Sequence, residues 1–300
     1  MLLVMMMMMM MMSDISSKPI RYSDIISRNV QKIMNQLSVS SLLVMNTKMA
    51  NAVSSPMPSA SILEDVKYKR SLFNLPPSEI TYPDYFQGDW NVNYIFDGAG
   101  FTNKIPFDQI ARDPNIAGFR KYSVAYMTDI GKDVQTTMRF KKRSTDGLIV
   151  DDLEYNLKSM IETQQSDNNC KVFDLLYEPS KNPNRLGFKY SDNKGNGIIE
   201  IFVNDRKKNV EDNKFYSITS VRQSSVRRRE DKDQNKQQQY AASQILCDYA
   251  IELSLTRTDN DKINGMFRIF SYLNAQDSLY FISSDNPVAF FQYKISFSKQ

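Results

Sequence analysis

Histidine is absent from all 300 residues. Without an imidazole the chain has no Ser-His-Asp or Cys-His nucleophilic system, no histidine-ligated zinc or non-haem iron, and no histidine-held haem. Any acid-base step would fall to Asp, Glu, Tyr or Lys. Cysteine occurs twice, at Cys170 and Cys247, too few and too far apart for a zinc knuckle or a CxxC redox pair. The two are either separate buried thiols or, in an oxidising compartment, one disulfide. No run reaches the roughly 20 apolar residues that cross a bilayer as a helix. Tryptophan is present once, as Trp90.

An excess of charge is also missing from most of the chain. The net charge is +4, but residues 1–52 hold Lys18, Arg21, Arg28, Lys32 and Lys48 against Asp14 and Asp24, which accounts for all but one of those charges. A nearly neutral remainder makes no case for nucleic acid as a partner. What is abundant is Phe and Tyr, 17 and 16 residues, whose flat side chains suit pleated, half-buried surfaces.

The first 52 residues read as a targeting leader, disordered or helical, that is removed. Met1–Met12 is a short apolar run, either a signal-peptide core or an upstream stretch before a later start. In Arg21–Leu37, Ile25, Ile26, Val30, Ile33 and Leu37 recur at helical spacing among Arg, Lys, Ser and Asn with few acids, the pattern of an organelle transit peptide. Leu37–Met49 is modestly apolar and leads to Ala50-Asn51-Ala52, small residues where a signal peptidase requires them. That order resembles a bipartite plastid leader addressed to the thylakoid lumen. Residues 53–74 mix Ser, Pro and charge without periodicity and read as a linker.

From Trp90 onward the apolar pattern has a period of two. Leu153, Tyr155, Leu157 and Ile161 alternate with polar residues, as do Ile251, Leu253 and Leu255. Val288, Phe290, Tyr293, Ile295 and Phe297 do so after a slip at Phe291 that predicts a bulge. Turn signals recur at Asp97-Gly98, Thr128–Gly131, Asp146-Gly147, Asn182–Asn184, Asn193–Gly197 and Asn264-Gly265. Pro106–Ala111 predicts one short helix, and Arg227–Gln239 a charged, Gln-rich hairpin tip. Residues 75–300 are therefore expected to form one all-β domain, an antiparallel barrel of roughly 8–10 strands, since closure removes sheet edges.

Tyr82-Pro83-Asp84-Tyr85-Phe86-Gln87-Gly88-Asp89-Trp90 resembles the Gly-x-Trp opening of lipocalins, in which Gly88 would allow the turn and Trp90 would cap the barrel floor. Together with Asn182-Pro183-Asn184-Arg185-Leu186 and the closing Asn286–Tyr293, it is similar to an uncharacterised lipocalin-like (calycin-type) family of cyanobacteria and plastids, over about Leu75 to Phe297. The resemblance implies a lipocalin-like barrel, a plastid setting and a basic residue over Trp90, either Arg268 or Lys294. It departs from the lipocalin pattern at Thr128-Asp129-Ile130, which stands where a Thr-Asp-Tyr signature would not be expected.

Inward aromatics define the candidate site. Tyr94, Phe96, Tyr122, Tyr126, Phe140, Tyr155, Phe290 and Tyr293 either line a cavity for a lipid or pigment or fill the barrel. Asp151 and Asp152 point to opposite faces of a strand and cannot share a proton. Asp192–Gly197 lacks the spacing and terminal Glu of a calcium loop and reads as a hairpin. Arg227-Arg228-Arg229 is followed at once by acids, without aromatics for base stacking. The expected function is non-enzymatic, with no cofactor and no metal: a lumenal protein that binds an apolar small molecule, or an accessory or interaction module for thylakoid proteins. An enzyme on a lipocalin scaffold, as in plastid xanthophyll de-epoxidases, is the remaining alternative.

Overall fold

The computed structural model describes residues 77–105, 133–164, 170–179, 181–192, 195–228, 243–273 and 279–300. The leader and linker, Pro106–Ala111, Tyr122, Tyr126, Thr128–Gly131 and the hairpin tip beyond Arg228 lie outside them. Ten strands follow in order: β1 (Gly88–Phe101), β2 (Val134–Lys142), β3 (Ile149–Asp151), β4 (Lys171–Leu176), β5 (Arg185–Asp192), β6 (Gly195–Glu211), β7 (Lys214–Arg228), β8 (Ser243–Asp259), β9 (Lys262–Tyr272) and β10 (Ala289–Lys299). One helix, α1 (Leu153–Gln164), stands between β3 and β4.

All the strands belong to one antiparallel sheet in the order β3-β2-β1-β10-β9-β8-β7-β6-β5-β4. β4 to β10 form a meander of hairpins, and β10 returns to pair with β1, so the sheet curls into a half-barrel around its concave face. The alternation read in the sequence sets that face. Tyr249, Ile251, Leu253 and Leu255 of β8, Phe267 and Ile269 of β9, and Phe291, Tyr293, Ile295 and Phe297 of β10 are all buried in the main core. Burying such a face is the dominant favourable term in folding. The opposite face is polar, crossed by a ladder in which Glu252 binds Arg268 and Arg268 binds Gln292. Higher on that face a second, smaller cluster buries Ala250, Phe270, Tyr272 and Phe290.

Three local expectations are corrected. Leu153–Ile161 is helix rather than strand. Leu157, Met160 and Ile161 meet the core at the spacing of one helical face. Phe291 is not bulged: β10 keeps register with β9 throughout, and the irregularity lies on the facing strand β1, between Phe96 and Gly98. The sequence suggested a slip because Phe290 is apolar on the outer face. Two turn signals fall inside strands: Asn264-Gly265 is the interior of β9, opposite Leu255 and Ile295, with the β8–β9 turn at Asn260-Asp261, and Asp97-Gly98 lies within β1, at its irregularity.

The curled sheet ends in two edges, β3 and β4, which do not pair with each other. β3 covers only Phe140–Lys142 of β2, so the rest of that edge would be left with unpaired amides. Helix α1 supplies the partners from its side chains. The Arg139 amide donates to Asn156 Oδ1 at 2.7 Å, Asn156 Nδ2 donates back to the Arg139 carbonyl at 3.1 Å, and the Thr137 amide donates to Ser159 Oγ at 3.4 Å. Its apolar side completes the core where a further strand would stand. Cys170 and Cys247 are buried thiols with no disulfide between them.

Candidate functional site: a polar cavity at the seam

The floor end of the half-barrel is built from the chain that enters β1. A short 3-10 turn, Asp84–Phe86, precedes Gly88, whose φ of 121° only glycine adopts without strain. The turn brings Phe86 and Tyr82 against Phe140 and Phe215, with ring centroids 4.8 to 5.7 Å apart. Trp90 is fully buried above them and donates its indole N–H to the Phe86 carbonyl at 2.7 Å. The base over its ring is Lys299, with Nζ 5.7 Å from the ring centroid. Arg268 and Lys294 both lie on the outer face, bonded to Glu252 and Asp97. Neither can take the position that the lipocalin resemblance gave them.

The aromatic interior above the floor is packed. Tyr94, Phe267 and Tyr293 have no exposed surface and meet edge to face, at 5.6 and 5.9 Å. Their faces and edges are wholly covered, which leaves no water-sized void beside these three rings. Phe140 belongs to the floor, and Phe96 is half-buried at the rim, against Tyr293 at 5.4 Å. Two of the candidate lining residues are not interior at all. Phe290 sits in the outer-face cluster, and Tyr155 stands on α1 beneath the guanidinium of Arg139, which lies 4.1 Å from its ring centroid. The aromatics do not converge on a ligand space among the described residues.

A space exists instead beside the floor, where the two sheet edges come closest. A half-open cavity of about 60 Å³ is lined by Glu79, Ile80 and Tyr82 from the entering chain, by Asp151 and Leu153 at the β3–α1 junction, and by Tyr177 after β4. Pro183 and Asn184 of the β4–β5 turn, Leu186 of β5, Val203 and Arg206 of β6 and Thr219 of β7 complete it. Two of the three segments that carry the family resemblance, those around Tyr82 and around Asn184, therefore meet in one place.

Arg206 is the unusual member. Up to Val203 the odd residues of β6 face the interior, so the strand's phase would send Arg206 outward. The pairing with β7 shifts between Val203 and Asp205, a bulge at Asn204, and beyond it Arg206 stands opposite the inward Thr219. A bulge re-aims the side chains that follow it. Once inside, Arg206 donates to Asn184 Oδ1 at 3.0 Å. Asn184 is held in turn by its own Nδ2 donating to the Pro77 carbonyl at 3.0 Å. Burial lowers the guanidinium pKa from its ordinary value, against the opposing pull of Asp151 and the phenols of Tyr177 and Tyr82.

The remaining polar walls are accounted for. Glu79 forms an ion pair with Arg143 and accepts the Tyr177 hydroxyl at 3.5 Å. Burial, and then the charge of Asp151, hold the Tyr82 phenol well above its usual pKa. Burial followed by Glu79 does the same for Tyr177. Both phenols are neutral hydrogen-bond donors across the working pH range.

A family model described as "Domain of unknown function (DUF6816)" matches residues 74–300. The chain belongs to that family. No curated protein and no solved structure matches the chain significantly. Membership thus carries no activity, and the residues of the DUF6816 domain must speak for themselves. Among the described residues no group of three or more Cys, Asp or Glu could hold a metal ion. No described helix is long and apolar enough to cross a membrane. Sequence reasoning passed over Glu79, Tyr177 and Arg206 in favour of aromatics. For Arg206 the available signal was the loss of alternation after Val203, where Asn204-Asp205 interrupts the apolar series.

Proposed function

We propose that this chain is a non-enzymatic, lipocalin-like binding protein of the plastid, and that it takes a small molecule in the seam cavity rather than in the aromatic interior. The observation that carries the reading is the bulge at Asn204. It turns a cation into a partly desolvated space where the neutral acceptor Asn184 meets it. The packed rings of Tyr94, Phe267 and Tyr293 leave the interior without a competing space. Two carboxylates, Glu79 and Asp151, and two phenols, Tyr82 and Tyr177, without a positioned nucleophile favour binding over chemistry.

Native purification followed by mass spectrometry of co-extracted small molecules tests the reading. A molecule released stoichiometrically from the native protein, and lost when Val203→Phe fills the cavity wall, supports it. The same complement of molecules from both proteins would refute the cavity as the locus. The plastid setting rests on the leader and on the family resemblance. A fusion of residues 1–72 to a fluorescent protein is expected to enter plastids, and cytosolic fluorescence would remove that part.

A further inference from the structure

Independently of the seam cavity, we infer that the turn Leu279–Asn286 is a wedge that seats the protein on a lipid bilayer through Phe281 and Ile282. β1 runs from Trp90, opposite Lys299, to Phe101, opposite Ala289, so this turn and the floor stand at opposite ends of the half-barrel. Phe281 is 89% exposed, more than any other large apolar side chain among the described residues, and Ile282 beside it is 54% exposed. A lone exposed apolar residue needs no explanation. This pair is held out by a braced base. Tyr280 is buried with Ile105, Leu273 and Val288, and its ring meets that of Phe281 edge to face at 5.4 Å. The Ile282 amide donates to the Leu279 carbonyl at 3.0 Å and the Ser283 amide to the Tyr280 carbonyl at 3.1 Å. Ser283, itself buried, donates its hydroxyl to the Asn286 carbonyl at 3.1 Å.

Shape, area and charge choose the occupant. A projecting tip enters another protein only where that partner has a matching pocket. Two side chains supply on the order of 300 Å², far short of the roughly 1,000 Å² that a stable protein interface buries. A second copy of this chain meets the same deficit. A bilayer sets no such minimum, because its interface opens around an aromatic or aliphatic side chain and each buried methylene adds to the binding. The charged side chains of the two stretches that meet here, Thr102–Ile105 and Leu279–Val288, are Lys104 and Asp285, one of each sign and both exposed. The tip therefore neither requires nor avoids an anionic headgroup, and apolar insertion alone sets its affinity. With two residues inserted, the seating is weak and reversible.

The test uses the full chain and protein-free vesicles of phosphatidylcholine, alone or mixed with phosphatidylglycerol. Cosedimentation should show weak partition that is alike on both vesicles and at low and high salt. Phe281→Ser should lower it by about tenfold or more, the effect of withdrawing one large apolar side chain from the interface. Phe281→Leu, which keeps an apolar tip, should retain most of it. Any affinity of the leader is common to all variants and cancels in these ratios. The direct readout is Phe281→Trp, whose indole should be quenched by brominated acyl chains in bound protein, beyond the wild type with its buried Trp90. An unquenched indole in bound protein, equal partition of the wild type and Phe281→Ser, or no partition of the wild type would overturn the inference. Wild type that sediments with native membranes but not with protein-free vesicles would assign the tip to a membrane protein and overturn the bilayer as its occupant.

Discussion

Replacing Trp90 by alanine is expected to cost about 3–5 kcal/mol of stability, the loss typical of a large aromatic removed from a packed core. Three contacts go at once. The indole N–H leaves the Phe86 carbonyl, which then has to find another donor at the buried floor. The ring loses its edge-to-face contact with Phe297, at 6.3 Å and 84°. Lys299 loses the face over which its ammonium sits. Trp90→Phe separates these terms: it keeps most of the ring but abandons the hydrogen bond, so about 1–3 kcal/mol should be lost. Since Trp90 is the only tryptophan, urea unfolding of the variants is followed by far-UV circular dichroism rather than by intrinsic fluorescence. A loss under about 1 kcal/mol for the alanine variant would mean that Trp90 is not the plug of the floor.

The same residue shows what was legible beforehand. Gly88 and Trp90 announce themselves through a backbone angle and a ring that few residues can supply, so the opening of β1 was readable from the chain alone. So was the concave face of β8 and of most of β10, because a half-buried antiparallel strand writes its burial directly as a period of two. Helix α1 was misread for a related reason. Leu153, Tyr155 and Leu157 satisfy that period over a short stretch, whereas Leu153, Leu157, Met160 and Ile161 satisfy the helical one over a longer stretch. The deciding term is tertiary: the edge of β2 needs donors and acceptors, and Asn156 and Ser159 provide them only from a helix.

The candidate site was least legible because its decisive residue is placed by an irregularity. A one-residue bulge inverts every side chain beyond it, so a charged residue in an outward phase becomes an inward one without any change in composition. The cavity also gathers its lining from six separate stretches of chain, between Glu79 and Thr219. Among the described residues the aromatics that looked like a ligand lining are explained by packing: Tyr94 and Tyr293 each meet Phe267 edge to face.

Gly265→Ala is the substitution in which the curl of the sheet should fail most directly. Gly265 occupies an inward position of β9 between Leu255 of β8 and Ile295 of β10. A Cβ built there would lie 2.0 Å from the Ser254 carbonyl oxygen and 2.9 Å from the Leu255 Cα. Those atoms are backbone of a paired strand, so they can yield only if β8 and β9 separate or the sheet flattens. The expected loss is at the upper end of overpacking, about 3 kcal/mol or more. Gly197→Ala provides the contrast, because its Cβ would meet the far end of the Tyr190 ring at 2.3 Å, and a ring can swing where a carbonyl cannot. Paired urea titrations should therefore show a markedly larger drop in midpoint for Gly265→Ala. Similar drops would mean that the close approach of β8 and β9 is not what bends the sheet. A larger effect at Gly265 would fix the glycine as the residue that lets the sheet bring its two edges toward the seam where Arg206 stands.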